Sequence, residues 1–114
     1  MYFAVGVYSQ MINGQPNGIP FWPDPWKNIV ATLYHELCEA RTDADVEESM
    51  RANQNNLIGW YANVAGGGEI GDIPMNAAPQ LGQVMVEVRL GNGGVAPIQL
   101  MWSNAVHGPE GPFA

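Results

Sequence analysis

Thr32-Leu33-Tyr34-His35-Glu36-Leu37-Cys38-Glu39-Ala40-Arg41-Thr42-Asp43-Ala44-Asp45 carries the strongest helix signal in the chain, one of its two histidines and the start of its densest acidic cluster. At 3.6 residues per turn, His35 and Glu39 stand one above the other on a helical face, where both side chains can converge on a single ion. Glu36 is rotated by about 100° from His35, within reach of a water held by the same ion. His-Glu-x-x-His on a helix is the zinc-protease arrangement, with two imidazoles on the metal and the Glu as general base. Here the second imidazole is a carboxylate, giving His-Glu-x-x-Glu.

Upstream, Asp24-Pro25 marks the helix start. Asp supplies an N-cap oxygen, and Pro at the first helical position gives up only an N–H that has no partner there. From Pro25 to Arg41, Trp26, Ile29, Val30, Leu33, Leu37 and Ala40 form an apolar face, while Asn28, Thr32, His35 and Glu39 fall on another. The expectation is that the helix buries the first face and presents the His/Glu pair on the second. Between Glu36 and Glu48, six of thirteen residues are acidic against the single Arg41. A second helix from Asp43 to about Asn53 would place Asp45 and Glu47 at its favourable N-terminal end. A solvated acidic face thus accounts for Asp45, Glu47 and Glu48, but poorly for Glu36 and Glu39.

Downstream, Gly66-Gly67-Gly68-Glu69-Ile70-Gly71-Asp72 is a flexible stretch with two carboxylates, able to bring its backbone close to an ion or to form a turn with its acids in water. Val84 to Leu90 and Val95 to Trp102 flank Gly91-Asn92-Gly93-Gly94 and read as a hairpin, with an outer edge at Pro97. Residues 2–8 read as a first strand, and Leu57 to Tyr61 as a short strand or the wall of a site. Asn13 to Pro23 and Pro74 to Pro79 read as loops, and the tail from Ser103 to Glu110, with His107, as irregular. Phe21 and Trp22 plug the core or line a groove.

With 114 residues the chain is a single domain over 1–114 with a modest core. One Cys excludes an internal disulfide and zinc-finger spacing; Cys38 should pack as a small hydrophobe. A net charge of −7, with only Lys27, Arg41, Arg51 and Arg89 basic, argues against nucleic acid and anionic membrane as partners. No apolar run approaches a membrane span, and residues 1–9 lack signal-peptide character, so a soluble compartment is expected. The fold class expected is α+β: a small mixed or antiparallel sheet from residues 2–8, 84–90 and 95–102 with the 25–41 helix packed across it. Exposed edges at the first strand or near Pro97 would allow a homodimer.

His35-Glu36-Leu37-Cys38-Glu39-Ala40-Arg41-Thr42-Asp43, Gly68-Glu69-Ile70-Gly71-Asp72 and Trp102-Ser103-Asn104-Ala105 together resemble a group of bacterial and fungal proteins. Their blocks are His-Glu-Leu-x-Glu-Ala-x-Thr-Asp-Pro, Gly-Glu-Ile-Gly-Asp and Trp-Ser-Asn, and at the helix they are similar to zincin-type metalloproteases. Ala44 replaces the usual Pro, and Pro74 stands where several members have Cys.

The resemblance implies a zincin-like domain with His35 as first ligand, Glu36 as base and Glu39 as second ligand. The third ligand is Asp45 in a metzincin-like arrangement, or Glu69 or Asp72 in a gluzincin-like one, and the latter is preferred. His107 or Tyr61 would stabilise the oxyanion, and Trp60, Trp102 and Asn104 would contact substrate. The ion expected is zinc, with Mn²⁺ or Ca²⁺ also suited to carboxylates. The function expected is hydrolysis of a peptide or protein substrate. The alternatives are a non-catalytic metal-binding or interaction module derived from the same fold, and a metal-free structural role for His35.

Overall fold

A computed structural model of the chain describes residues 5, 6, 8–43, 45–54, 59–62 and 67–112. The architecture is α+β. In chain order it comprises β1 (Met11–Ile12), β2 (Gln15–Pro16), α1 (Pro25–Asp43), α2 (Val46–Arg51), α3 (Asp72–Ala77), β3 (Met85–Arg89), β4 (Val95–Gln99), β5 (Met101–Ser103) and β6 (Gly108–Glu110), with a 3₁₀ turn at Leu81–Gln83. Among the described residues the strands form three separate antiparallel pairs, β1–β2, β3–β4 and β5–β6.

The β3–β4 hairpin pairs Met85 with Gln99 through Arg89 with Val95. Its turn closes through Leu90 N to Gly94 O at 2.8 Å, with Gly93 at φ 84°. The 95–102 strand is broken at Leu100. Leu100 N still donates to Val84 O at 2.7 Å, in register with the hairpin, but Trp102 N donates to Ile70 O at 2.8 Å, and from Met101 the chain pairs with β6 instead. The tail expected to be irregular therefore supplies a strand.

Two other loop expectations are also corrected. Asn13-Gly14 forms a two-residue turn between β1 and β2, both residues having positive φ (52° and 78°), as a type I′ hairpin requires. Asp72 to Ala77 is helical. Pro74 is tolerated there because it sits in the first turn, where its missing N–H costs no helical bond. Of the proposed first strand, Val5, Gly6 and Tyr8 are not in a strand, and the remainder lies outside the described residues. Leu57 and Ile58 likewise lie outside them, and Gly59 to Tyr61 form no strand.

α1 contains the expected helix and extends it to Asp43, but its burial is opposite to the one expected. Asn28, Ala31, Glu39 and Asp43 are buried, whereas Trp26 is 48% and Leu37 58% exposed, with Val30 and Leu33 also exposed. The polar face is turned inward where distant parts of the chain supply hydrogen-bond partners. Asn28 Oδ1 accepts from Phe21 N at 3.1 Å and Trp22 N at 2.8 Å, and its Nδ2 donates to Trp22 O at 2.9 Å. Further along the same face α1 packs against β4, the strand that carries the fully buried Gln99. On the opposite face the chain at Gly6 runs against Ile29 and Leu33.

Phe21 and Trp22 belong to the core. They meet edge to face at 4.8 Å and, with Ile19, Met75, Ala78 and Leu81, pack on Ala31, Val84 and Met85. Among the described residues no helix is long and apolar enough to cross a membrane.

Candidate metal centre

The face of α1 turned inward carries His35, Glu39 and Asp43, one turn apart. The segment entering α3 closes over them. Gly71 N donates to Glu39 Oε1 at 3.2 Å, and a Cβ at Gly71 would lie 2.5 Å from His35 Nδ1. Only glycine lets the main chain approach the imidazole this closely. Gly68 serves the same end with φ 134°, its missing side chain leaving room for Asp72. Asp72 Oδ2 in turn accepts from Glu69 N at 3.3 Å, fixing the turn that starts α3.

Gln99 at the end of β4 locks the ring. Its Nε2 donates to Gly71 O at 2.6 Å, so Oε1 is the atom 2.9 Å from His35 Nδ1. Nδ1 therefore carries the proton that Gln99 accepts, and Nε2 is directed at Glu39 Oε1 (2.9 Å) and Asp72 Oδ1 (3.6 Å). Such a bond from the distal ring nitrogen is the usual means of fixing the tautomer and orientation of a metal-ligating histidine.

With both nitrogens facing acceptors, the ring either holds two protons or turns a lone pair at Nε2 toward a cation. Burial alone would lower the His35 pKa. The bonds to Glu39 and Gln99 and the charges of Glu39 and Glu36 outweigh it and raise the pKa to about 9.

The carboxylates are in surplus. Glu69 is pushed up to about 8 by burial first, then by the charge of Glu39, its hydrogen bond with Asp43 and the charges of Asp43 and Asp72. Asp43 is raised by burial, aided by the charges of Glu39 and Asp72 and opposed by hydrogen bonds from Thr42 and Glu69. Four acids around one imidazole call for added positive charge, as protons or as a metal ion.

The donor atoms fit an ion. His35, Glu39 and Asp72 each offer one ligand atom, all within 4.8 Å of one another. Zinc bonds of about 2.0–2.2 Å in a tetrahedron put ligand atoms roughly 3.3–3.6 Å apart. The separations of 2.9 and 3.6 Å at Nε2 bracket that spacing.

Of the three acids expected as third ligand, Asp72 converges with His35 and Glu39, and Glu69 adjoins it through its N–H. Asp45, by contrast, is exposed at the N-cap of α2 and lies outside the converging trio. Glu36 is exposed on the α1 flank next to the trio. Trp60 is half-buried, its N donating to Thr42 O at 3.3 Å, and Tyr61 is exposed. Trp102 is held beside the Gly-rich segment by its bond to Ile70, and its indole donates to Asn104 Oδ1 at 2.9 Å. Trp102 also lines an open groove of about 200 Å³ with Tyr34, Met101, Ser103 and Glu110. His107 is exposed in the β5–β6 turn at φ 51°. Cys38 is half-buried, and burial first, then the neighbouring Cys38 thiol, push the Tyr34 pKa up.

Sequence reasoning missed Asp43 and Gln99 as site residues. Asp43 continues the 35/39 spacing by one turn, and Gln99 is the only polar residue between Val95 and Trp102, so both left a signal. No protein-family model matches the chain, and comparisons with curated proteins and with solved structures likewise find none that match, so the assignment of this centre rests on its own geometry.

Proposed function

We propose that His35, Glu39 and Asp72 hold one divalent ion, zinc by preference, and that the protein is a small zincin-like hydrolase acting on peptide bonds. The observation that carries this reading is the imidazole whose Nδ1 is locked by Gln99 while its Nε2 faces two carboxylates. One nitrogen and two carboxylate oxygens suit zinc and admit Mn²⁺ or Ca²⁺.

The ion would supply Lewis acidity toward a water and a substrate carbonyl. Glu36, adjacent to His35 and open to solvent, takes the proton from the attacking water and returns it to the leaving amine. Gln99 keeps the His35 ring from rotating, and Gly71 N holds Glu39 in place. Tyr61 or His107 would donate to the developing oxyanion, and the groove beside Trp102, with Asn104 and Trp60, would receive the substrate chain.

A second reading is favoured by one observation. The same cluster ties α1 to the segment before α3 and to β4, where the strands among the described residues form three separate pairs. An ion there would staple the fold without turnover.

Metal analysis of the full chain, followed by a Glu36→Gln comparison on a peptide library, separates the two. Bound zinc with cleavage that the variant abolishes while keeping its metal supports the hydrolase. Bound zinc without cleavage supports the staple. Failure to bind any divalent ion removes both.

A further inference from the structure

We propose that the groove between α1 and the β5–β6 pair is a recognition site for the arginine side chain of a peptide. As a specificity subsite the inference rests on the hydrolase reading and names its substrate class. As a binding site it stands on the groove alone.

The register of β5 and β6 builds the site. Met101 lies directly opposite Glu110, and such partners point to the same side of the pair with Cβ atoms about 4.5–5.5 Å apart. Ser103, two residues on from Met101, shares that side. Tyr34 lines the same groove from α1, and the volume between them is about 200 Å³. Pockets for whole small molecules run to about 300–1,000 Å³, so this one has room for a single long side chain.

The lining decides which. Glu110 is half-buried, and its carboxylate makes no hydrogen bond or ion pair among the described residues, where the ion-paired acids are Asp24, Glu39, Glu47, Asp72 and Glu87. No Lys or Arg lines the groove, the Trp102 indole N–H is committed to Asn104 Oδ1 at 2.9 Å, and the Tyr34 and Ser103 hydroxyls accept as readily as they donate. An unpaired carboxylate beside an aromatic ring selects a cation over an anion or a neutral amide. Arginine suits it better than lysine, because the guanidinium is planar, stacks on aromatic rings, is weakly hydrated and presents a fork of donors to a carboxylate. The net charge of −7 draws a basic peptide toward it. Tyr34 precedes His35, and Trp102 N donates to Ile70 O at 2.8 Å, one residue before Gly71. An arginine held in the groove therefore anchors a peptide beside the residues that would hold the ion.

The test uses the metal-free full chain and short blocked peptides identical but for one residue, which is arginine, lysine, leucine or citrulline, the uncharged isostere of arginine. Calorimetry reads affinity, and the Met101 methyl resonance in methionine-labelled protein reads the place of binding. The arginine peptide is expected to bind and to shift that resonance, with citrulline weaker by about tenfold or more, as the loss of charge-assisted hydrogen bonds dictates, and lysine between them. Glu110→Gln should bring arginine down to the citrulline level, and its unchanged citrulline binding serves as the folding control. Tyr34→Leu should weaken arginine several-fold. This pattern of binding with no cleavage of any peptide leaves the recognition site standing and removes the hydrolase reading. Cleavage without preference for arginine at any position, with arginine and citrulline peptides bound alike in the wild type and in Glu110→Gln, overturns the proposal and leaves the hydrolase. A leucine peptide bound as tightly as the arginine one, the mark of an apolar groove, overturns it as well.

Discussion

Replacing Gln99 by Met tests how the imidazole is held. Gln99 is fully buried, and Met keeps its length and approximate volume, so the change lies mainly in hydrogen bonding rather than in packing. Two contacts disappear: the acceptor 2.9 Å from His35 Nδ1 and the donor 2.6 Å from Gly71 O. Each leaves a buried polar group without its partner, at about 1–3 kcal/mol apiece, so the metal-free protein should lose roughly 2–6 kcal/mol. That is a large share of the ~5–15 kcal/mol typical of a domain. Zinc affinity should fall by about 10–100-fold because the ring is free to turn. Urea unfolding in chelator reads the first quantity, and competition with a chromophoric chelator reads the second. A stability change below about 0.5 kcal/mol with unaltered zinc affinity would refute the claim that Gln99 positions His35.

Three further predictions concern other parts of the molecule. Gly71→Ala should abolish tight zinc binding, measured by the same competition, because its Cβ would sit 2.5 Å from His35 Nδ1 and 3.0 Å from Glu39 Oε1; a variant that binds normally would mean the loop is not held against the ring. Asn28→Ala removes three bonds to the 21–22 segment and should lower stability by about 2–4 kcal/mol in urea unfolding while leaving zinc affinity within a few-fold. In the metal-free protein His35 titrates near 9, above its ordinary 6.5, so its contribution is full below pH 6.5 and is lost as pH rises through 9. Glu69, raised from 4.5 to about 8, acts in the same direction, its contribution being lost as pH rises through 8. Urea midpoints in chelator should therefore fall between pH 6.5 and 9, and zinc binding at pH 7 should release about two protons, read by calorimetry in buffers of different ionisation enthalpy. Midpoints that rise over that range would contradict the proton assignments.

The extent of α1 and the β3–β4 hairpin are legible in the sequence because their signals are local: Asp24-Pro25 at the helix start, and a glycine turn between β-rich runs. The orientation of α1 is not. It has an apolar stripe and a polar stripe, and the choice between them depends on partners distant in sequence, the main chain at Phe21 and Trp22, Gly71 and Gln99. The short elements β1, β2, β5 and β6 span two or three residues each, too few to show a period, and only Asn13-Gly14 announces its hairpin. Of the centre, His35 and Glu39 follow from helical spacing. Asp72 follows from the Gly-rich block only through the resemblance, since nothing in the intervening residues dictates which acid turns inward.

The most direct measurement is an anomalous-difference map at the zinc edge from crystals of the chelator-stripped chain reloaded with one equivalent of zinc. The account predicts one peak about 2.0–2.2 Å from His35 Nε2 and from a carboxylate oxygen of each of Glu39 and Asp72, with Nδ1 still bonded to Gln99. A zinc-loaded crystal with no peak there, and His35 still hydrogen-bonded to Glu39, would contradict it.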